Sequence, residues 1–166
     1  MTESVVNWMN GNPHLAILVV PVFAFLEATI GIGILVSGAI LLTLSSILYS
    51  NGVADLYQIL PLAFFSALAA DHVGFFVGRS IGPRIRRARL LQKHQAKIER
   101  AESLVQRFGE AAVVAGRLVT AIRSIVPMTC GMAGMPVYRF SMVNLLACVI
   151  WTTGLGLLVV GIDSFL

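Results

Sequence analysis

No lysine or arginine occurs in the first 78 residues, and most of that stretch is apolar. Leu15 to Tyr49 forms one long apolar run, Ile59 to Val77 a second and Phe140 to Ile162 a third. A straight helix needs about 20 apolar residues to cross a bilayer. These runs are continuous rather than alternating, which points to helices and away from a transmembrane barrel. In lipid a helix satisfies its own backbone polar groups, which few other structures can do. The chain is 57% hydrophobic and only 12% charged, whereas a soluble domain is about a quarter charged. The expected class is an all-α, polytopic helical membrane protein forming a single membrane domain over residues 1–166.

Charge is distributed as unevenly as hydropathy. Nine of the twelve basic residues lie between Arg79 and Arg107. Apolar spans flank this segment on both sides, so the positive-inside bias explains it better than nucleic-acid binding does. Segment 79–110 is therefore expected to be a basic, helical, cytoplasmic connector lying against anionic head groups. The N-terminus has no basic leader region, so no cleavable signal is expected. His14, His72 and His94 are scattered, and Cys130 and Cys148 form no spaced pair. No metal or other cofactor is expected, and the cysteines read as buried packing residues.

The apolar runs differ in how well they suit a straight span. Run 15–49 contains Glu27 and then Gly31, Gly33, Ser37 and Gly38. Glycine clusters weaken helices, so this region reads as a re-entrant or broken helix pair. The alternative is one long tilted helix with glycine notches. Residues 59–78 read as a full span with a small-residue face at Gly74, Gly78 and Gly82. That face suits close helix approach within the chain, or between copies in a homo-oligomer. Gly82-Pro83 is expected to end the span. Residues 111–135 are apolar but hold Arg117, Arg123, Pro127, Gly131 and Gly134. An interior proline breaks helical hydrogen bonding, so a second re-entrant hairpin is expected, followed by a span at 140–162. Each half is then a hairpin plus one full helix. The two full helices must run in opposite directions about the basic connector, which makes the halves inverted repeats. Many transporters place their binding site where such broken helices meet at mid-membrane.

Glu27, Asp71, Arg117 and Arg123 lie inside apolar stretches. At mid-membrane each costs about 2.5–3.5 kcal/mol on insertion scales unless paired or hydrated. They should therefore face one another or a polar cavity. On a continuous helix, positions 117 and 123 are about 240° apart, so they converge only if the chain bends between them. Convergent guanidiniums suit a phosphate, which accepts bidentate hydrogen bonds. Buried carboxylates can load and release protons near neutral pH, which nominates Glu27 and Asp71 for proton coupling. Gly33, Gly38, Pro127 and Gly131 are the candidate helix breaks lining the site. Asn144 either contacts substrate or bonds across helices, while Trp151 and Tyr138 read as interface anchors or packing residues. A competing account makes the four charges two ion pairs that lock the fold, with Asp71 able to pair locally with Arg79.

Three motifs resemble the DedA family of VTT-domain membrane proteins. The most specific is GRLVTAIRSIVPMTCGMAGMPVYRFSMVNLLACVIW at Gly116–Trp151, with Arg117, Arg123, Pro127, Gly131, Phe140, Asn144 and Trp151 at the family's positions. FLEATIGIGILVSG at Phe25–Gly38 looks like its other re-entrant motif, with Glu27 as the acid. ADHVGFFVGRSIG at Ala70–Gly82 looks like its Gly-Asp…Gly-Arg…Gly segment. The chain departs from the family at Ser37-Gly38-Ala39, where a second acid is often found, and at Thr120, where many members have Pro.

The resemblance implies a lipid flippase or transporter of the bacterial inner membrane. It would carry undecaprenyl phosphate or a related phospholipid, with proton coupling, and would not be an enzyme. The rival classes are a proton-coupled transporter of small cations or drugs, a lipid phosphatase and a structural scaffold. Two arginines oppose a cation, and no histidine lies in the 117–123 stretch to serve a phosphatase.

Overall fold

A computed structural model describes residues 11–29, 38–87, 107, 109, 111, 113–114, 117, 123 and 125–164, with side chains to residue 82 in the second of these segments. The described elements are all helical: α1 (Pro13–Ala16), α2 (Val19–Ala28), α3 (Gly38–Ser50), α4 (Leu56–Arg87), α5 (Val126–Met132) and α6 (Val137–Asp163). Gly33, the rest of 30–37 and most of the basic connector lie outside the described residues.

Local chemistry sets the element ends. Pro13 occupies the first turn of α1, where its missing N–H costs nothing. After α2 the backbone turns extended at Thr29, and the Thr29 hydroxyl donates back to the Phe25 carbonyl at 2.7 Å. Helix α3 closes with Gly52 at φ +66. There the Val53 N–H reaches the Leu48 carbonyl (2.9 Å) and the Gly52 N–H the Tyr49 carbonyl (3.0 Å), a Schellman closure that needs glycine's left-handed freedom. The end of α5 is built the same way, with Gly134 at φ +77 and the Met135 N–H on the Cys130 carbonyl. Asp55 and Gln58 open α4, the Asp55 N–H donating to Gln58 Oε1 at 3.3 Å.

Two helices can cross a bilayer, at Leu56–Gly82 and Val137–Ile162. Helices α2 and α3, of 10 and 13 residues, are each too short for that. Helix α4 does not stop at Gly82-Pro83, where the sequence suggested an end, but continues to Arg87. A proline inside a helix removes one hydrogen bond and can be absorbed by a bend.

The radial distribution of residues is inverted relative to a soluble protein. The exposed face of α6 carries Met142, Leu145, Leu146, Val149, Ile150, Leu157 and Leu158, while Asn144 and Thr152 are buried. Helix α4 likewise exposes Phe65, Val73 and Phe76 and buries Asp71. Apolar side chains turned outward and ionised groups turned inward suit hydrocarbon as the solvent.

Two apolar clusters hold the bundle. Ala16, Val20, Ala24, Leu41, Leu48, Ile59, Ala63, Leu155 and Val159 join α1–α4 with α6. Phe75, Val113, Cys130 and Phe140 form the second, with Phe75 and Phe140 stacked 4.4 Å apart. Helices α4 and α5 pack backbone to backbone. A Cβ on Gly78 would collide with the Met128 carbonyl, and one on Gly131 with the Phe75 carbonyl. Gly131 is therefore a packing residue inside α5 and not the helix break the sequence suggested. Pro127 sits in the first turn of α5, where it starts that helix.

Candidate functional site

The four intramembrane charges lie between the two apolar clusters. Along α4, Asp71 falls between Ala63 of the first cluster and Phe75 of the second. Along α6, Asn144, Cys148, Trp151 and Thr152 fall between Phe140 and Leu155. Asp71 is about 22 Å from the start of α4 at the helical rise of 1.5 Å per residue, close to the middle of Leu56–Gly82. The polar layer thus occupies the mid-plane of the two long helices.

Within this layer the charges form two ion pairs. Arg117 Nη1 donates to Asp71 Oδ2, so Asp71 pairs with Arg117 and not with Arg79. Arg79 instead reaches the Met135 carbonyl at 3.3 Å. Arg123 Nη1 lies 2.6 Å from Glu27 Oε1. The N–H there is not aimed along the contact, and neither Glu27 oxygen receives a directed hydrogen bond from the described residues. All four residues are at least nine-tenths buried.

Glu27 owes its place to a neighbouring glycine. A Cβ on Gly38 would come within 2.7 Å of Glu27 Oε1, so the carboxylate rests against the first residue of α3. Gly38 therefore acts by opening room for Glu27.

Trp151 organises the arginines. The Arg117 Cζ lies 5.4 Å, and the Arg123 Cζ 5.1 Å, from the Trp151 ring centroid. Two guanidiniums on one indole gain cation–π attraction of about 0.5–2 kcal/mol each. The two side chains, which would splay on a straight helix, thus converge on one ring. Asn144 is fully buried beside Asp71, its Nδ2 without a directed acceptor among the described residues. Cys148 Sγ lies 4.0 Å from Asp71 Oδ2. His72 leaves the charged layer altogether. Its Nδ1 donates to the Leu68 carbonyl at 2.8 Å, and its Nε2 accepts from the Ser141 hydroxyl at 2.9 Å, tying α4 to α6.

Sequence reasoning assigned Trp151 and Cys148 to packing or anchoring. Their helical spacing was the available signal. From Asn144, positions 148, 151 and 152 follow at i+4, i+7 and i+8, all on one helix face.

The chemically decisive feature is what the ion pairs leave unused. Arg117 Nε and Nη2 and Arg123 Nη2 are buried without a hydrogen-bond acceptor among the described residues. A buried donor without a partner costs about 1–3 kcal/mol, more on a charged group. Each guanidinium thus meets its carboxylate with one nitrogen and keeps further donors available. Such a layer can accept an oxyanion of planar or tetrahedral geometry.

The sequence matches the VTT domain over residues 13–160. The chain belongs to the VTT-domain family. It is similar to the inner membrane proteins YabI, YohD and YghB of Escherichia coli K12. Identity to YabI is 25% over 82% of this chain and 54% of that protein. Identity to YohD is 28% over 75% and 64%, and to YghB 29% over 86% and 67%. The chain spans about half the length of the first of these relatives. No solved structure matches it. The names of these relatives agree with a membrane protein and say nothing of cargo.

Proposed function

We propose that this protein translocates an anionic lipid, undecaprenyl phosphate or a related phospholipid, across a bacterial inner membrane, with Arg117 and Arg123 binding its phosphate. The observation that carries this reading is the set of buried donors, without an acceptor among the described residues, on two guanidiniums that both lie over Trp151. A structural lock needs its charges saturated, because an idle buried donor only costs stability. A binding layer needs donors held in reserve. A cation carrier would find both carboxylates already neutralised by the arginines, which disfavours that alternative.

Protons enter through the carboxylates. In the described state the two arginines and two acids balance, so an incoming phosphate competes with Glu27 and Asp71. Protonating Glu27 removes its charge and releases Arg123 to the phosphate. Deprotonation restores the pair and expels the anion. The cycle makes and breaks no covalent bond in the cargo and calls for no cofactor. The basic segment 79–107 faces the cytoplasm in this reading, near anionic head groups. The family resemblance and the inner-membrane relatives support the compartment.

Trp151 offers a direct test. The chain has two tryptophans, so Trp8→Phe leaves Trp151 as the reporter. Titration with a short-chain polyprenyl phosphate should change its emission saturably, and the matching alcohol should not. Arg123→Lys should weaken the response about tenfold, which is ~1.4 kcal/mol. Equal responses to phosphate and alcohol would sink the proposal.

A further inference from the structure

The hydroxyl side chains of α3 and α6 divide into two populations. Thr43 and Thr153, on the outer faces, donate back to the Ala39 and Val149 carbonyls at 2.8 Å each. Ser45, Ser46 and Thr152 are buried in the same two helices, and their hydroxyls make no such bond and find no other partner among the described residues. Backbone carbonyls one turn earlier are the default partner for a helical serine or threonine in lipid. Three inward hydroxyls that forgo it are oriented for something else.

Ser45 and Thr152 share one seam, with Ser46 the next residue of α3. Ser45 lies between Leu41 and Leu48 along its face of α3, and Thr152 is one turn before Leu155 on α6. Leu41, Leu48, Leu155 and Val159 belong to one apolar cluster. The seam also meets the charged layer at both of its helices. Gly38, against Glu27 Oε1, precedes Ser45 by two turns on the same face of α3, about 10.5 Å along the axis. Thr152 adjoins Trp151 and is one turn from Cys148, whose Sγ faces Asp71.

We propose that Ser45, Ser46 and Thr152 form a water-holding branch of the site, running from the Glu27–Arg123 pair along the α3–α6 seam toward Ser50. Water fits the seam's chemistry because each hydroxyl needs both a donor and an acceptor, and a buried water makes about three hydrogen bonds to such groups. The branch gives Glu27 a hydrogen-bonded route for proton exchange toward the Ser50 end, with Arg123, Arg117 and Asp71 the charged groups facing its inner end. This role rests on the proton-coupled reading above, whereas the water itself does not.

The sign of a stability change tests the water. Ser45→Ala and Thr152→Val delete hydroxyls with little change of shape. Idle hydroxyls cost stability, so their removal would raise the melting temperature of the purified protein. Hydroxyls that hold water lose those bonds, and each variant should melt lower by ~2–4 °C. An unchanged or higher melting temperature overturns the branch and leaves the anion site untouched. The route is read in proteoliposomes as the dependence of lipid translocation on a pH gradient. The Ser45→Ala/Thr152→Val double variant should lose at least about half of that dependence while still binding polyprenyl phosphate. Undiminished dependence overturns the route and leaves a purely structural water. If the parent protein moves no lipid, the functional reading fails, and the melting temperatures still decide whether the seam is hydrated.

Discussion

Asp71 and Arg117 stand 46 positions apart in the chain and close a buried ion pair between α4 and the segment preceding α5. Both partners are buried, Asp71 at 2% and Arg117 at 6% exposure, so the charge is kept from the lipid-facing surface. Removing one partner strands the other in a medium that cannot solvate it. Asp71→Ala should destabilise the protein by about 3–5 kcal/mol. Asp71→Ala/Arg117→Met should recover part of that loss. Thermal unfolding of the purified variants in detergent checks both, and equal losses in the single and double variants would deny the coupling.

Helix α5 packs against α4 only because two glycines admit it. Gly78→Ala and Gly131→Ala each push a methyl into a facing carbonyl. Overpacking of this kind costs about 1–3 kcal/mol or more, since backbone must move. Gly154 and Gly161 meet nothing within 4 Å of an added Cβ, and alanine there should be neutral or mildly stabilising. Melting temperatures of the four variants should separate into those two groups.

Trp151 should matter for anion affinity more than for folding. Trp151→Leu keeps apolar bulk and loses the ring beneath both guanidiniums. Binding of a polyprenyl phosphate should weaken by about 1–4 kcal/mol, given the usual strength of two cation–π contacts. Trp151→Phe should fall between. Calorimetric titration of each variant, with melting temperature as the folding control, reads the difference.

Glu27 competes with the cargo for Arg123, so Glu27→Gln should bind phosphate more tightly than the parent. The same variant should move lipid at a rate indifferent to an imposed pH gradient. Weaker binding by Glu27→Gln would mean that the carboxylate helps to hold the anion site together.

Much of this arrangement could be read from the chain because lipid makes charge conspicuous. Glu27, Asp71, Arg117 and Arg123 stood out against apolar runs, and the small-residue face marked Gly78 and Gly82 as points of close approach. Which acid meets which arginine was not readable, because that depends on how α2 and α4 are placed about residues 117 and 123. Trp151 was hidden for a different reason. An aromatic residue in a membrane helix is usually an anchor, and only the convergence of two guanidiniums makes it a platform. Pro127 and Gly131 act by context. Pro127 starts α5, and Gly131 admits a neighbouring backbone without ending its own helix. Gly33 and the expected break around it lie outside the described residues.

The central claim is that Arg117 and Arg123 carry a lipid phosphate through the membrane. The most direct measurement is translocation of labelled undecaprenyl phosphate in proteoliposomes, comparing the parent with Arg117→Lys and Arg123→Lys at matched amounts of folded, inserted protein. Lysine keeps the charge and loses the bidentate fork. The account predicts that both variants lose about tenfold or more of the rate, the loss of one good charge-assisted hydrogen bond. Parental rates in both variants would contradict it.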